Sequence, residues 1–428
     1  MIRKMAALAA VILGLLAAPA QAKSPLDPLA EQYVRLSLAI GENEEGYIDA
    51  YYGPAEWQSA AKAAPRDLPA LKAEVAALTL AVTRIKPGWL VAEEKRRRLF
   101  LLAQLKAAET RLRMMSGEKP SFEDEAEGLF GVRPVLKPLS AYDPVLKEIE
   151  ALVPGEGPLW QRVDAFNDRF IIPADRLQAV MDAAIAECRT RTMAHIALPA
   201  NERFTLEFVT GKSWSGYNWY KGNATSLIQI NTDLPVRLSR AVDLGCHEGY
   251  PGHHVLNMLL EERLSKAKGW VEFSVYPLYS PQSLIAEGSA NYGIELAFPG
   301  DERRAFEVGT LYPLAGLDPK DADAYLALLE AQKALAGARF TIASEFLSGR
   351  ITKDQAIALT QTYGLVSAKR AAQTVAFSEQ YRSYVINYGL GLDMVRAYVE
   401  GAGPDQAARW KRMEAVISEP TLPGDLLR

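Results

Sequence analysis

Apolar residues recur along most of this chain at the spacing of helix faces. One such face is formed by Leu101, Leu105, Ala108 and Leu112. Residues three and four apart lie on the same side of an α-helix, so this spacing predicts a helix with one buried face. The stretch 321–348 has the same character and consists mostly of strong helix formers. Pro173 begins a further helix that runs through Cys188. The pattern therefore predicts a mainly α-helical protein.

The stretch 204–231 departs from this helical pattern. It is rich in aromatic and β-branched residues and has a turn signal at Gly222. We therefore expect a small antiparallel β-sheet here, immediately before the next helix of the chain. Its residues Trp214, Tyr217 and Trp219 either pack within the sheet or line a groove at its edge, where an extended peptide can bind as an added strand.

The amino terminus has the pattern of a secretory leader. A basic start precedes an apolar stretch over 6–18, and small residues stand at Ala20 and Ala22, as at a signal-peptidase site. The apolar stretch is shorter than the ~20 residues that a membrane span needs. We expect residues 1–22 to be removed, which leaves no membrane anchor. Residue 23 is lysine and not the cysteine of a lipoprotein, so we expect a periplasmic or secreted protein.

The remaining residues, 23–428, are enough for a single large domain, which can form two lobes around a cleft. The chain has 48 Lys and Arg residues against 52 Asp and Glu residues, and its formal net charge is −4. It lacks a basic stripe with interleaved aromatic residues, whereas phosphate binding needs a basic surface. We therefore expect no nucleic-acid partner.

The chain contains two cysteines, Cys188 and Cys246. An oxidising compartment permits a disulfide bond between them. Cys246 belongs to a segment that we predict to be a buried helix, and free cysteine is among the most buried residue types. The pattern therefore favours two unbonded, buried side chains.

Three of the four histidines lie within eight positions, at His247, His253 and His254. Imidazole is the commonest metal ligand in proteins. Glu248 directly follows the first histidine, and a carboxylate beside a metal can act as a base. In a chain with so few histidines, a loop with three incidental ones is the less favoured alternative. The cluster therefore indicates a metal-dependent hydrolase with Zn²⁺ as its cofactor.

The spacing of the cluster differs from the usual zinc-hydrolase pattern H-E-x-x-H, in which both histidines share one helix face. Position 251, four residues after His247, is proline. Pro251 cannot donate a hydrogen bond to the carbonyl of His247, so we expect the helix to bulge or kink here. Two inserted residues would bring His253 to the metal. An unbroken helix would instead place His254 over His247, at about 10.5 Å along the axis. We therefore expect His253 as the second ligand, with His254 as the alternative.

A catalytic zinc site has three protein ligands and one open position. Downstream of the histidines, Glu287, Asn291 and Glu295 share one face of a predicted helix. Such a face can supply a ligand, Glu287, that is backed by a polar partner. On this pattern alone, an exposed amphipathic face is an equal alternative.

The block from His247 to His254, followed by the block that begins at Glu287 and Gly288, resembles the bacterial domain-of-unknown-function 885 family. The likeness extends over most of the chain after the leader. The chain is more distantly similar to gluzincin metallopeptidases such as thimet oligopeptidase, angiotensin-converting enzyme and carboxypeptidase Taq. Their third zinc ligand is a glutamate on a following helix, and this resemblance implies that Glu287 is the third ligand here.

The gluzincin relatives also place a tyrosine from a late helix over the metal. This likeness makes Tyr384 and Tyr388 candidates for stabilising an oxyanion. The two tyrosines are four residues apart and share a helix face, which core packing explains equally well.

We therefore predict a mainly α-helical, zincin-like metallopeptidase fold with a small antiparallel β-sheet beside the active-site cleft. In this prediction His247, His253 and Glu287 hold Zn²⁺. Glu248 takes a proton from the water that the metal activates and passes it to the leaving amine. The expected substrate is a peptide or a small amide. The alternatives are a hydrolase of non-peptide amides or esters, and a periplasmic binding protein that keeps a zinc site without turnover.

Overall fold

Helices form most of the computed structural model, which describes residues 24–427. The predicted leader, residues 1–22, lies outside the described residues. The helices are α1 (Asp27–Gly41), α2 (Ala55–Ala63), α3 (Leu68–Arg84), α4 (Ala92–Met115), α5 (Phe122–Phe130), α6 (Asp143–Leu152), α7 (Leu159–Asp168), α8 (Leu177–Met193), α9 (Ser239–Leu244), α10 (His253–Leu260), α11 (Pro281–Ala297), α12 (Glu302–Phe306), α13 (Tyr312–Ala315), α14 (Ala322–Lys333), α15 (Ala336–Leu347), α16 (Lys353–Gly364), α17 (Ala368–Tyr381), α18 (Ile386–Glu400) and α19 (Gln406–Ser418). Within the described part of the chain, no helix is long and apolar enough to cross a membrane.

The helices follow the periodicity of the sequence. In α4, the face that contains Leu101, Leu105 and Leu112 is buried, as its spacing predicts. The predicted helical stretch 321–348 is divided into α14 and α15, because the chain leaves the helix at residues 334–335. The expected mainly α-helical fold is confirmed.

In the described part of the chain, five short strands form two small sheets. The strands are β1 (Ile48–Tyr51), β2 (Arg203–Val209), β3 (Gly216–Gly222), β4 (Thr225–Asn231) and β5 (Val275–Pro277). β1 pairs with β5 in antiparallel orientation. The predicted antiparallel sheet is present as the hairpin of β3 and β4, which turns at Gly222. β2 adds to β4 in parallel orientation, so the strand order is β2-β4-β3 and β3 is an edge strand.

Helix α11 crosses the interior of the protein. Its residues 281–290 are all buried, as is typical of a helix that is surrounded by other elements. A Cβ atom at Gly288 would lie 2.4 Å from the carbonyl oxygen of Gly391 in α18, so only glycine allows the two backbones to approach this closely. This close packing brings Glu287, in α11, next to the beginning of α18.

Cys188 and Cys246 form a disulfide bond, so the prediction of two unbonded side chains was wrong. Cys188 lies on α8, which packs beside the turn that contains Cys246, and the two Cα atoms are 5.4 Å apart. That separation suits a disulfide, and both residues are fully buried. The bond joins α8 to the residue that directly precedes His247.

Candidate metal centre

His247 and His253 lie on separate helical segments, because the chain is interrupted between them. Helix α9 continues into a π-helical turn over Gly245–Gly249, and α10 begins at His253. The peptide bond between Tyr250 and Pro251 in the interruption is cis. The predicted bulge is therefore present as a π-turn. The helix does not continue through it, however: it ends at Gly249 and a new helix begins at His253.

Gly252 allows this interruption to be compact. Its backbone N–H donates a hydrogen bond of 3.0 Å to the carbonyl oxygen of Cys246. A Cβ atom at Gly252 would lie 1.7 Å from the carbonyl oxygen of His247, which is far inside van der Waals contact. The glycine thus lets the second helix begin close enough for His253 to face His247.

The structure brings His247, His253 and Glu287 together. The Nε2 atoms of the two histidines are 3.1 Å apart. Oε2 of Glu287 lies 3.2 Å from Nε2 of His247 and 3.7 Å from Nε2 of His253. These three atoms form a group that could hold one metal ion. We call these residues the ligand group.

Asn291 fixes the orientation of the His247 ring. Its Nδ2 donates a hydrogen bond of 3.1 Å to the carbonyl oxygen of Tyr388, so its Oδ1 is the atom that faces Nδ1 of His247, at 3.1 Å. An amide oxygen only accepts hydrogen bonds, which requires a proton on Nδ1 of His247. In the neutral imidazole, Nε2 then presents its lone pair to Glu287 and His253.

His254 is not part of the ligand group. Its side chain is completely buried, with Nδ1 at 2.7 Å from Oγ of Ser226 and Nε2 at 3.1 Å from Oε1 of Glu202. Glu202 also accepts a hydrogen bond from Tyr250 and forms an ion pair with Arg189. The structure therefore places His254 in a separate polar cluster between the sheet and α10.

Glu248 lies beside the ligand group, on the wall of the same cavity. Burial raises the pKa of its carboxyl group above the ordinary value. Its Oε2 is buried and has no hydrogen-bond partner among the described residues. The backbone carbonyl oxygen of Glu248 accepts a hydrogen bond of 2.6 Å from Nδ2 of Asn218 on β3. A Cβ atom at Gly216 would lie 2.7 Å from Oε1 of Glu248, so the edge strand packs directly on this carboxylate.

The two candidate tyrosines have different surroundings. The hydroxyl of Tyr384 donates a hydrogen bond of 2.7 Å to Oε1 of Glu287 and so holds that carboxylate in place. The ring of Tyr388 stacks on the imidazole of His247, with ring centroids 6.3 Å apart. Burial raises the pKa of both hydroxyl groups well above the ordinary value, which keeps them protonated at neutral pH.

Two further cavity residues, Asp49 and Tyr217, lie on strands. Asp49 on β1 accepts a hydrogen bond from the hydroxyl of Tyr217 on β3, and burial raises the pKa of its carboxyl group to about 6. Trp214 also lines the cavity, which agrees with the predicted groove at the sheet edge. Trp219 instead donates a hydrogen bond to Gln229 within the sheet. Sequence reasoning missed Asp49, because no histidine or second carboxylate accompanies it on its short strand.

The atoms of the ligand group fit a divalent cation. In the neutral tautomer set by Asn291, Nε2 of His247 offers an electron pair, as does Oε2 of Glu287, which is buried without a hydrogen-bond partner among residues 24–427. Two imidazoles and one carboxylate form a donor set that is typical of catalytic zinc. A cation between these atoms would satisfy all of them at once.

Electrostatics at the ligand group also favours a cation. Burial raises the pKa of the Glu287 carboxyl, but the two imidazoles outweigh this effect and hold the pKa well below its usual range. Burial lowers the pKa of His253, but the carboxylates of Glu287 and Glu248 raise it to about 9. Metal binding must therefore displace a proton from His253, so metal affinity should rise with pH.

We expect Asn291→Ala to weaken zinc affinity by about 10- to 100-fold, because Asn291 sets the tautomer and orientation of His247. Competition with a chromogenic chelator measures this change. Asn291→Asp supplies an acceptor of similar size and is the matched variant, which should keep most of the affinity. Equal zinc affinity of Asn291→Ala and the unaltered protein would contradict the role of Asn291.

Comparison with known proteins adds information about the fold but assigns no family. No family model and no curated protein matches this chain. Among solved structures, a candidate lipoprotein from Colwellia psychrerythraea is similar with a TM-score of 0.52 and 15% identity. The similarity covers 83% of this chain and 65% of that one, so this chain spans about two thirds of the length of its neighbour. This likeness shows a shared fold.

Two carboxypeptidases are also among the structural neighbours. The Pyrococcus furiosus carboxypeptidase has a TM-score of 0.49 and 12% identity, over 92% of this chain and 90% of that one. The M32 carboxypeptidase from Deinococcus radiodurans has a TM-score of 0.42 and 13% identity, over 95% of each chain. The resemblance to the domain-of-unknown-function 885 family stays a prediction.

Proposed function

We propose that this protein is a zinc-dependent hydrolase that cleaves peptides in the periplasm or outside the cell. The observation that carries the proposal is the convergence of His247, His253 and Glu287 on one point of a cavity whose wall includes Glu248. The disulfide between Cys188 and Cys246 supports the location, because such bonds persist in oxidising compartments.

Glu248 supplies the proton transfer in this proposal. Zn²⁺ held by the ligand group would act as a Lewis acid: it would polarise a substrate carbonyl and lower the pKa of a water molecule. Glu248 then takes a proton from the attacking water at its unpartnered Oε2 and returns it to the leaving nitrogen. A raised pKa suits this role, because an efficient base must also act as an acid later in the same reaction.

Tyr384 and Tyr388 have different supporting roles in this proposal. Tyr384 is engaged with Glu287 and positions that ligand. Tyr388 lies over His247 and lines the cavity, and we assign its hydroxyl to the substrate carbonyl oxygen, where negative charge develops. Both ring nitrogens of His254 are engaged by Ser226 and Glu202, so in this proposal His254 stabilises the fold beside the site.

An untagged preparation supplemented with zinc should contain about one equivalent of zinc per chain, as elemental analysis after dialysis can measure, because such sites bind zinc tightly. The same preparation should cleave members of a peptide library, and chelation should abolish the cleavage. A zinc content below about 0.2 equivalents would contradict the proposed centre. A zinc-loaded protein that cleaves esters or non-peptide amides alone would replace the peptidase assignment, and one that cleaves none of these would support the binding-protein alternative.

A further inference from the structure

A second cavity of about 470 Å³ is lined in part by His247 of the ligand group. It shares a wall with the first cavity, including His247, Glu248 and Tyr388. Four basic residues also line this second cavity. They are Arg240, Arg303, Lys333 and Arg339.

Three of these basic residues are neutralised by carboxylates. Arg240 pairs with Asp243 at 3.4 Å, and Arg303 pairs with the same residue at 2.9 Å. Lys333 pairs with Glu295 at 3.0 Å. These cations have partners within the protein and so do not call for a charged ligand.

Arg339, on α15, differs from the other three. Among residues 24–427, no carboxylate forms an ion pair with it and no oxygen accepts a hydrogen bond from its guanidinium, whose Nε is buried. The guanidinium carbon lies 5.1 Å from the ring centroid of Phe377 and 5.9 Å from that of Tyr388. Stacking on aromatic rings orients a guanidinium without using its N–H donors. Arg339 therefore presents unused donors to the cavity.

A partly buried cation without a counter-ion is costly, and proteins usually pair such groups. Burial lowers the pKa of Arg339 from its ordinary value, and the effect of Tyr388 opposes this only in part. A guanidinium retains its proton under all ordinary conditions, so it cannot escape the cost by becoming neutral. A ligand that supplies negative charge would remove this cost.

We propose that Arg339 binds a carboxylate group of the substrate in this second cavity. The inference rests on the proposed hydrolase function and names a chemical feature of the substrate. A guanidinium matches a carboxylate with two parallel hydrogen bonds, which gives both affinity and orientation. The carboxylate belongs to either the end of the peptide chain or an acidic side chain, and the two sources present the same chemistry.

The position of Arg339 suits a role in substrate selection. The ring of Tyr388 neighbours both groups: its centroid lies 5.9 Å from the guanidinium carbon of Arg339 and 6.3 Å from the imidazole centroid of His247. An extended peptide advances about 3.3 Å per residue, so a few residues at most can span the space between Arg339 and His247. A carboxylate held by Arg339 would thus fix which peptide bond lies beside Glu248.

Four otherwise identical peptides separate the two carboxylate sources. The first ends in a free carboxylate and the second in an amide. The third and fourth end in amides and carry one Glu or one Gln near the cleavage position. The zinc-loaded protein should favour the carboxylate over its amide counterpart in one of the two pairs, by about 10- to 100-fold in kcat/KM, as is typical of hydrogen bonds to charged groups.

Arg339→Gln should abolish this preference, and Arg339→Lys should retain part of it. Arg350→Gln removes one positive charge just beyond the end of α15, where Arg350 is exposed and paired with Glu345, and should leave the preference unchanged. Equal cleavage within both pairs, or a preference that survives in Arg339→Gln, would overturn the proposal.

A binding measurement separates this inference from the proposed hydrolase function. Calorimetric titration of the same peptides into zinc-loaded Glu248→Gln reports affinity without turnover. The favoured carboxylate peptide should bind about 10- to 100-fold more tightly than its amide counterpart, and adding Arg339→Gln should remove the difference. If no peptide is cleaved but this difference is present, the hydrolase proposal fails and the carboxylate site stands. If the unaltered protein cleaves the peptides but Glu248→Gln binds both members of each pair with equal affinity, the hydrolase proposal stands and the carboxylate site fails.

Discussion

Glu248→Gln should retain zinc while turnover falls by roughly 10²- to 10⁴-fold, the usual contribution of a positioned proton transfer. Glutamine has nearly the same shape as glutamate, so it should fill the space against Gly216 without disturbing the ligand group. It cannot take a proton from the attacking water, and Oε2 of Glu248 has no other partner among the described residues whose loss would explain the effect. Steady-state kinetics on a cleaved peptide and elemental analysis of the same preparation measure the two quantities.

Glu207→Gln is the matched control for this variant. Glu207 is an exposed carboxylate on β2 that pairs with Gln229, and it lines neither cavity, so its replacement should leave both quantities unchanged. A loss of zinc together with activity in Glu248→Gln would show that Glu248 coordinates the metal. Unchanged turnover would assign the proton transfer to another group, and Asp49 is a candidate because it lines the same cavity.

The helices of this protein were predictable because their signal is local. A buried helix face repeats every three to four residues, and a short window of sequence contains the whole pattern. The hairpin of β3 and β4 was predictable for the same reason, since its turn lies between the two strands. The parallel pairing of β2 with β4 is set by no turn, because β3 lies between these two strands in the sequence. The pairing of β1 with β5 joins segments more than 200 residues apart. A local pattern cannot contain such information.

The residues of the candidate site likewise include some that a local sequence pattern identifies and some that it does not. His247, Glu248 and His253 lie in one short block, so their shared chemistry was visible in the sequence. Glu287 required the resemblance to known metallopeptidases, because its helix face alone was ambiguous. The disulfide was missed because the sequence does not show that α8 packs beside Cys246. Arg339 resembled any other helical arginine until the structure showed that it lacks an acidic partner among the described residues.

The structure sharpens the choice between the two histidines at the beginning of α10. His253 faces His247 at 3.1 Å, whereas His254 lies between Ser226 and Glu202. Because Pro251 and Gly252 interrupt the helix, the ring that reaches the ligand group is six positions after His247 and not four. Two adjacent residues of the same type thus have separate surroundings, which makes them a matched pair for experiment.

His253→Ala should lose its zinc on dialysis, while His254→Ala keeps a measurable fraction. Removing a direct ligand leaves two protein ligands, too few to hold the ion against dialysis. Removing His254 instead takes a hydrogen-bond partner from Glu202, which remains bonded to Tyr250 and Arg189. It also leaves the buried hydroxyl of Ser226 without a partner, which should lower the free energy of unfolding by about 1–3 kcal/mol, the usual cost of an unpaired buried polar group. Elemental analysis and thermal unfolding of both variants measure the two effects. Zinc retained by His253→Ala and lost by a folded His254→Ala would assign the second ligand to His254 and show that the interruption at Pro251 does not serve the metal centre.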